Sequence, residues 1–322
     1  MPGRRAMQHD SGRRRCLSGA VALTGSALAL RLAPSALAQP ARLETVSLSQ
    51  RTIAVIGPDA VSLATQSGDG VILIGGGHER WSDDLLGVVA EAFGGMPISA
   101  LFNTHWHREQ TGANLRLGER GVPILAHENT RLWLGTEVWV RWSDQRFPPL
   151  PAAARPSTGF DGSGSIRLGG RNVEYIYQRN AHTDGDIGVF LPDENILVTG
   201  GHVASDSWPI IDWWTGGWIG GMLDGFDLLV ETGNPDTVIV PASGPIMSYA
   251  ELTAQHEMYL TIFDRLHEML RNARSTAEVL AARPTAEFDR QMGDPELFLT
   301  LAFQSMWRHL RDAHDTRMQN IP

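Results

Sequence analysis

One short stretch of unbroken apolar sequence, Val71–Ile74, constrains this chain more than any other feature, and Ile98–Phe102 reads as a second buried strand. A strand with water on one face alternates apolar and polar residues, whereas a run without alternation is covered on both faces. Between them, Ser82–Phe93 places Leu85, Leu86, Val89 and Phe93 at the spacing of an amphipathic helix. Two further β-rich runs, Thr52–Ile56 and Ala60–Thr65, precede this unit. The same style returns later, in Val173–Tyr177, Ile187–Leu191 and Ile196–Thr199, then a helix near Gly221–Val230 and the strand Thr237–Val240. Strands and helices thus alternate in two successive halves, which predicts one α/β domain with two sheets and outer helices. Ser248–Arg271 and about Glu296–His314 read as closing helices.

Between the halves, Arg141–Gly164 carries four prolines and reads as an irregular functional loop or lid. Tryptophans gather near it and near a later loop. Trp133 and Trp139 have helical spacing and fit packing, but Trp213 and Trp214 are adjacent among glycines and cannot both face a core. With Trp208 they are candidates for an apolar substrate wall, and a subunit interface or plain packing stays open.

The first forty residues have a separate character. Five arginines lie between positions 4 and 15, a weakly apolar stretch runs from Leu17 to Leu30, and Ala36-Leu37-Ala38 offers a small-x-small cleavage site. This is the layout of a signal peptide over residues 1–38, with paired arginines of the twin-arginine type, and it predicts a periplasmic or secreted protein. Residues 39–270 are then the catalytic-type domain and 271–322 a helical extension packed on it. An uncleaved N-terminal anchor is the competing reading.

Composition excludes several chemistries. All 27 basic residues are arginine, so Schiff-base chemistry, a phosphate-loop lysine and a Ser–Lys dyad are absent. The single cysteine, Cys16, falls in the leader and leaves the mature chain without thiolate ligand, cysteine nucleophile or internal disulfide. Without the leader, 21 basic residues face 35 acidic ones. A net charge of -14 speaks against nucleic acid and anionic membranes as partners and for a small-molecule substrate. Oligomerisation stays open.

Metal ligands must therefore be His, Asp, Glu or neutral oxygens. His105-Trp106-His107 follows the strand Ile98–Phe102, and residues two apart in extended backbone point to one side. His182, in Ala181-His182-Thr183-Asp184-Gly185-Asp186, precedes a strand in the second half. Three neutral imidazoles leave a fourth position open on a tetrahedral zinc ion, the arrangement that acidifies a bound water. Asp184 and Asp186 are candidates for orienting His182. Asp206 and Asp212 are further carboxylates that no spacing assigns to the cleft.

The string Asn103-Thr104-His105-Trp106-His107-Arg108-Glu109-Gln110-Thr111-Gly112-Ala113-Asn114 resembles the HxHxDH…GGN signature of the metallo-β-lactamase superfamily. Gly75-Gly76-Gly77, the His182 turn, Thr199-Gly200 and Pro241-Ala242-Ser243-Gly244 follow in that family's order. The resemblance implies a four-layer αββα sandwich with metal at the sheet edges, and hydrolysis by a metal-bound hydroxide. It maps the family's first metal site onto His105, His107 and His182. Its second site is degenerate: Glu109 and Gln110 stand where Asp and His are usual, Gly201 where an aspartate bridges the metals, and Ser243 where a histidine closes the set.

These departures imply one zinc per chain, with iron or another divalent metal as the alternative. Glu109 is then a general base, or a fourth ligand that closes the site. His202 is a candidate remnant ligand beside Gly201 or a packed histidine, and Gln110 and Ser243 complete the possible remnant of the second site. Two functions compete: an exported mononuclear hydrolase of an ester, lactone or amide, and an inactive descendant that binds metal or a ligand. Redox chemistry on iron ranks third.

Overall fold

A computed structural model describes residues 43–319, so the proposed signal segment, 1–38, lies outside the described residues. The chain opens with β1 (Glu44–Ser47), β2 (Thr52–Ile56), β3 (Val61–Ser67) and β4 (Gly70–Ile74), then α1 (Ser82–Ala92) and β5 (Ile98–Phe102). Next come α2 (Asn114–Gly118), β6 (Ile124–His127) and α3 (Glu128–Leu134). A small hairpin, β7 (Val138–Val140) and β8 (Gln145–Phe147), is followed by β9 (Thr158–Phe160). The second half runs β10 (Gly164–Leu168), β11 (Arg171–Gln178), β12 (Asp186–Leu191) and β13 (Ile196–Val198). It ends with α4 (Ile219–Thr232), β14 (Val238–Val240), β15 (Met247–Ser248) and four helices: α5 (Tyr249–Arg271), α6 (Thr276–Ala282), α7 (Asp289–Met292) and α8 (Glu296–Gln319).

These strands make two main sheets. The first has the order β1-β2-β3-β4-β5-β6-β9 and the second β10-β11-β12-β13-β14-β15. β4, β5, β6 and β9 pair in parallel, as do β13 and β14, which is why their connections carry helices. All five residues of β4 are buried, as its unbroken apolar run requires. Leu63, Ile72, Phe102 and Leu125 of the first sheet meet Val173, Val189, Ile196 and Val240 of the second in one shared core. The outer face of the first sheet packs Val71, Leu73 and Leu101 against Leu85 and Val89 of α1. That of the second packs Ile176, Leu197 and Ile239 against α4 and α5, with Phe298, Leu299 and Phe303 of α8 in the same cluster. The result is the αββα sandwich. Capping boxes, Ser248 with Glu251 and Ser275 with Glu278, start α5 and α6.

Regular structure replaces part of the irregular loop read for Arg141–Gly164. β8 pairs with β7 in a separate two-stranded sheet, and β9 adds an edge strand to the first sheet. Three-residue strands lack the length for a visible alternation, so prolines dominate the reading there. No described helix is long and apolar enough to cross a membrane.

Candidate metal centre

His105 and His107 leave the C-terminal end of β5 on a loop that the rest of the first sheet grips tightly. Asn103 and Asn114 exchange amide hydrogen bonds of 2.9 and 2.8 Å across the loop's base. The glycine turn after β4 clasps the same loop: Gly76 N–H donates to Gln110 O (2.7 Å) and Gly112 N–H to Gly77 O (2.7 Å). A Cβ at Gly112 would lie within 2.6 Å of backbone atoms of Gly77, His78 and Glu79, so this approach requires glycine. His182 arrives from the other sheet, in the turn between β11 and β12.

The three rings meet edge to face, with centroids 4.6 to 5.1 Å apart. One donor atom each from His105, His107, Glu109 and His182 lies within 4.8 Å of all the others. The orientation of each ring is fixed from behind. His107 donates from Nε2 to Asp212 Oδ2 (3.1 Å), so its Nδ1 faces the centre. His182 donates from Nδ1 to the Ile210 carbonyl, so its Nε2 faces the centre, 2.8 Å from His107 Nδ1. His105 has Thr104 Oγ1 at 3.1 Å from its Nδ1, while its buried Nε2 has no hydrogen-bond partner. Glu109 Oε1 completes the group, 3.6 Å from both His105 Nε2 and His107 Nδ1. Two nitrogens facing each other at hydrogen-bond distance, beside an orphaned third and a carboxylate, fit a divalent cation.

Electrostatics agree with that fit. Burial holds His105 and His182 below the usual histidine range, so both are neutral near pH 7. Burial also opposes charge on His107, but its hydrogen bond to Asp212 and the nearby Glu109 carboxylate outweigh it and lift the ring to about 10. Burial pushes Glu109 up, yet the adjacent His105 and His107 rings win and leave it well below the usual range, hence ionised. Without metal, therefore, a proton on His107 occupies the shared position. A cation binding there must displace it, and the sign follows: affinity weakens as pH falls. The logarithm of the metal association constant should rise by about one per pH unit from 7 towards 10. Asp212→Asn should lower affinity about 10- to 100-fold at high pH and start the plateau at a lower pH. Competition titrations with a chromophoric chelator across pH measure both.

Of the possible second-site remnant, only Glu109 joins the cluster. The Gln110 amide donates to Ala242 O (3.3 Å). Ser243 Oγ lies 3.5 Å from Ser207 Oγ, in the lining of a different cleft. His202 is fully buried edge-on against Phe226, 5.1 Å between centroids, and burial drops it to about 3. Both residues lie in the turn that follows β13, where Gly201 abuts the His182 and His105 rings while His202 packs into the helical side against Phe226.

Nor do Asp184 and Asp186 touch the His182 ring. Asp186 accepts from Thr183 N (2.6 Å) and Thr183 Oγ1 (3.2 Å), which shapes the turn; burial raises it to about 7. Asp184 accepts from Trp133 Nε1 (2.7 Å), and burial raises it to about 6. The ring is oriented by Ile210 and its neighbour His107 by Asp212, partners that only the folded chain brings near. Asp212 also accepts from Thr215 Oγ1 (2.6 Å), and Thr215 Oγ1 accepts from Trp106 Nε1 (3.1 Å), so one network ties the loop after β13 to the His105 loop.

Over the cluster lies a cleft of about 410 Å³. His107, Glu109 and Ile210 line its floor, and the β7–β8 hairpin supplies Trp142 and Phe147. Arg108 fastens this roof, donating to Pro148 O (2.7 Å) with its guanidinium over Phe147. The expected tryptophan wall is thus displaced. Trp208 stacks on Phe298 and donates to Gly293 O, Trp213 packs against the helical core, and Trp214 lines a neighbouring cleft.

Residues 58–253 match the profile of the family described as the metallo-beta-lactamase superfamily. The chain belongs to that superfamily. Solved structures of the fold include a metallo-beta-lactamase from Pontibacter korlensis, 18% identical with a TM-score of 0.54, covering 68% of this chain and 99% of that one. The DIM-1 metallo-beta-lactamase is 15% identical at a TM-score of 0.54, over 68% of this chain and 98% of that one. The IND-7 metallo-beta-lactamase is 15% identical at 0.54, over 67% and 97%. Superfamily membership together with the His-His-Glu-His cluster points to a divalent metal site and a metal-dependent hydrolase acting on a small molecule.

Proposed function

We propose that this chain is an exported mononuclear zinc hydrolase of an ester, lactone or amide, with Glu109 as its general base. The observation that carries this reading is the convergence of His105 Nε2, His107 Nδ1 and His182 Nε2 in a group whose remaining donor is a single carboxylate, beneath an open cleft. His105, His107 and His182 would hold the ion. When bound, it would acidify a water and polarise the substrate's carbonyl. Asp212 and Ile210 keep the rings in the tautomers that aim lone pairs at the centre.

Glu109 is the one member of the group with substantial exposure, 37% of its side chain, so its carboxylate reaches from the ligand set into the cleft. An ionised carboxylate there accepts the proton of an attacking water at Oε1 and returns it to the leaving group. Trp142 and Phe147 give the cleft beside Glu109 an apolar wall. The arginine-rich N-terminus supports export by the twin-arginine route with the metal already loaded.

Metal analysis of purified protein should find one zinc per chain, and a panel of esters, lactones and amides should reveal turnover. Glu109→Gln should retain that zinc while kcat falls about 10²- to 10⁴-fold with KM little changed. Loss of the metal along with activity would make Glu109 a ligand instead. A chain that binds zinc but turns over nothing in the panel would be a binding protein.

A further inference from the structure

We infer that the cleft beside the metal site, walled by Trp142, Trp214, Leu297 and Leu301, is a second substrate compartment that takes an uncharged apolar group, acyl or aryl. This rests on the hydrolase reading above. The compartment measures about 680 Å³, larger than the metal cleft and within the size that encloses a small organic ligand. Trp142 lines both clefts, and its ring lies 6.0 Å from that of the ligand His107. One indole thus separates the reacting centre from the second compartment. A substrate whose carbonyl sits at the histidines can lay its remainder across that indole.

The walls define the chemistry of the occupant. Two indoles and two leucines offer flat and aliphatic contact. Leu297 is 41% exposed although its neighbours Phe298 and Leu299 are buried, so it presents apolar surface to this space at a cost in solvation. Arg141 lies over the Trp139 ring, 3.3 Å from its centroid, and 5.8 Å from that of Trp214, and Asp294 and Glu296 at the start of α8 oppose an anion. Thr300 and Gln304 supply a polar rim. Trp142 and Trp214 lie within the superfamily match, whereas the α8 wall lies beyond residue 253, where that match ends.

The test compares acetyl and octanoyl 4-nitrophenyl esters with the zinc-loaded enzyme, and octyl 4-nitrophenyl ether, which cannot be cleaved, with the metal-free chain. The octanoyl ester should be preferred in kcat/KM by about tenfold or more, since burying even two or three methylenes is worth that much. The ether should quench tryptophan fluorescence saturably. Thr300→Trp, which fills the space, and Leu297→Glu, which charges its wall, should each weaken ether binding about tenfold and remove the chain-length preference, with zinc content unaltered. Equal ether binding in the wild type and both variants, or no saturable binding at all, overturns the compartment. Ether binding that responds to the variants without turnover of any ester keeps the compartment and sinks the hydrolase reading instead.

Discussion

The double variant His105→Ala, His182→Ala should lose its metal entirely and, with it, all but background activity. The two residues come from different sheets, and each contributes an inward Nε2 held by a partner behind the ring. Removing both leaves His107 and Glu109, which satisfy one another as an ion pair in place of a cation. Lewis-acid stabilisation of a hydrolytic transition state is worth several kcal/mol, so the rate should drop about a thousandfold or more. Elemental analysis and turnover on the best substrate of the panel check this together. Each single alanine variant should bind zinc more weakly and be partly rescued by millimolar metal, whereas the double variant should not. Retention of one tightly held ion by the double variant would place the metal elsewhere in the chain.

Gly201→Asp should destroy the metal site rather than complete a second one, although it restores to the sequence the carboxylate that bridges two metals in relatives. A Cβ at position 201 would lie 2.3 Å from His182 Cδ2, 2.8 Å from its Cγ and 3.0 Å from His105 Cε1. The imidazole has no room to retreat, because Nδ1 is bound to Ile210 O and the backbone of His182 abuts Gly217. Forcing heavy atoms into a filled space costs about 1–3 kcal/mol and displaces the ring. Gly201→Ala carries the same Cβ without the charge and should lose zinc equally, which assigns the defect to packing. Two ions per chain in Gly201→Asp would show that the neighbourhood yields, and that one carboxylate is all the second site lacks. The close approach also gives the single-metal reading a physical basis: glycine at 201 lets the two sheets bring His105 and His182 within 4.7 Å, centroid to centroid.

Much of this was legible in the chain itself. Thr52–Ile56 and Ile98–Phe102 form strands with the bounds read from their composition, because short, mainly apolar runs between turn residues admit few alternatives. α4 extends two residues beyond each end of the Gly221–Val230 reading, whereas α5 starts one residue inside Ser248–Arg271 because Ser248 is its cap. His105 and His107 could be paired from sequence because local backbone geometry alone puts residues two apart on one side. Fold class followed for a related reason: alternation of strand and helix is a local signal repeated often enough to determine layers.

What the tertiary structure decided is everything that joins distant segments. Asp212 stands 105 residues from the histidine it orients and Ile210 28 residues from its own, in a loop with no periodicity to mark them. The hairpin that roofs the cleft places Trp142 over the metal site, while the tryptophan pair that stood out in sequence turns to packing and to the adjoining compartment. Gln110, Ser243 and His202 keep the order of metal ligands along the chain, yet hydrogen bonding and burial aim them elsewhere. A sequence fixes which donors exist and which lie on one loop. Their meeting at a point depends on how closely two sheets stack, and here Gly201, with no side chain, leaves the room for it.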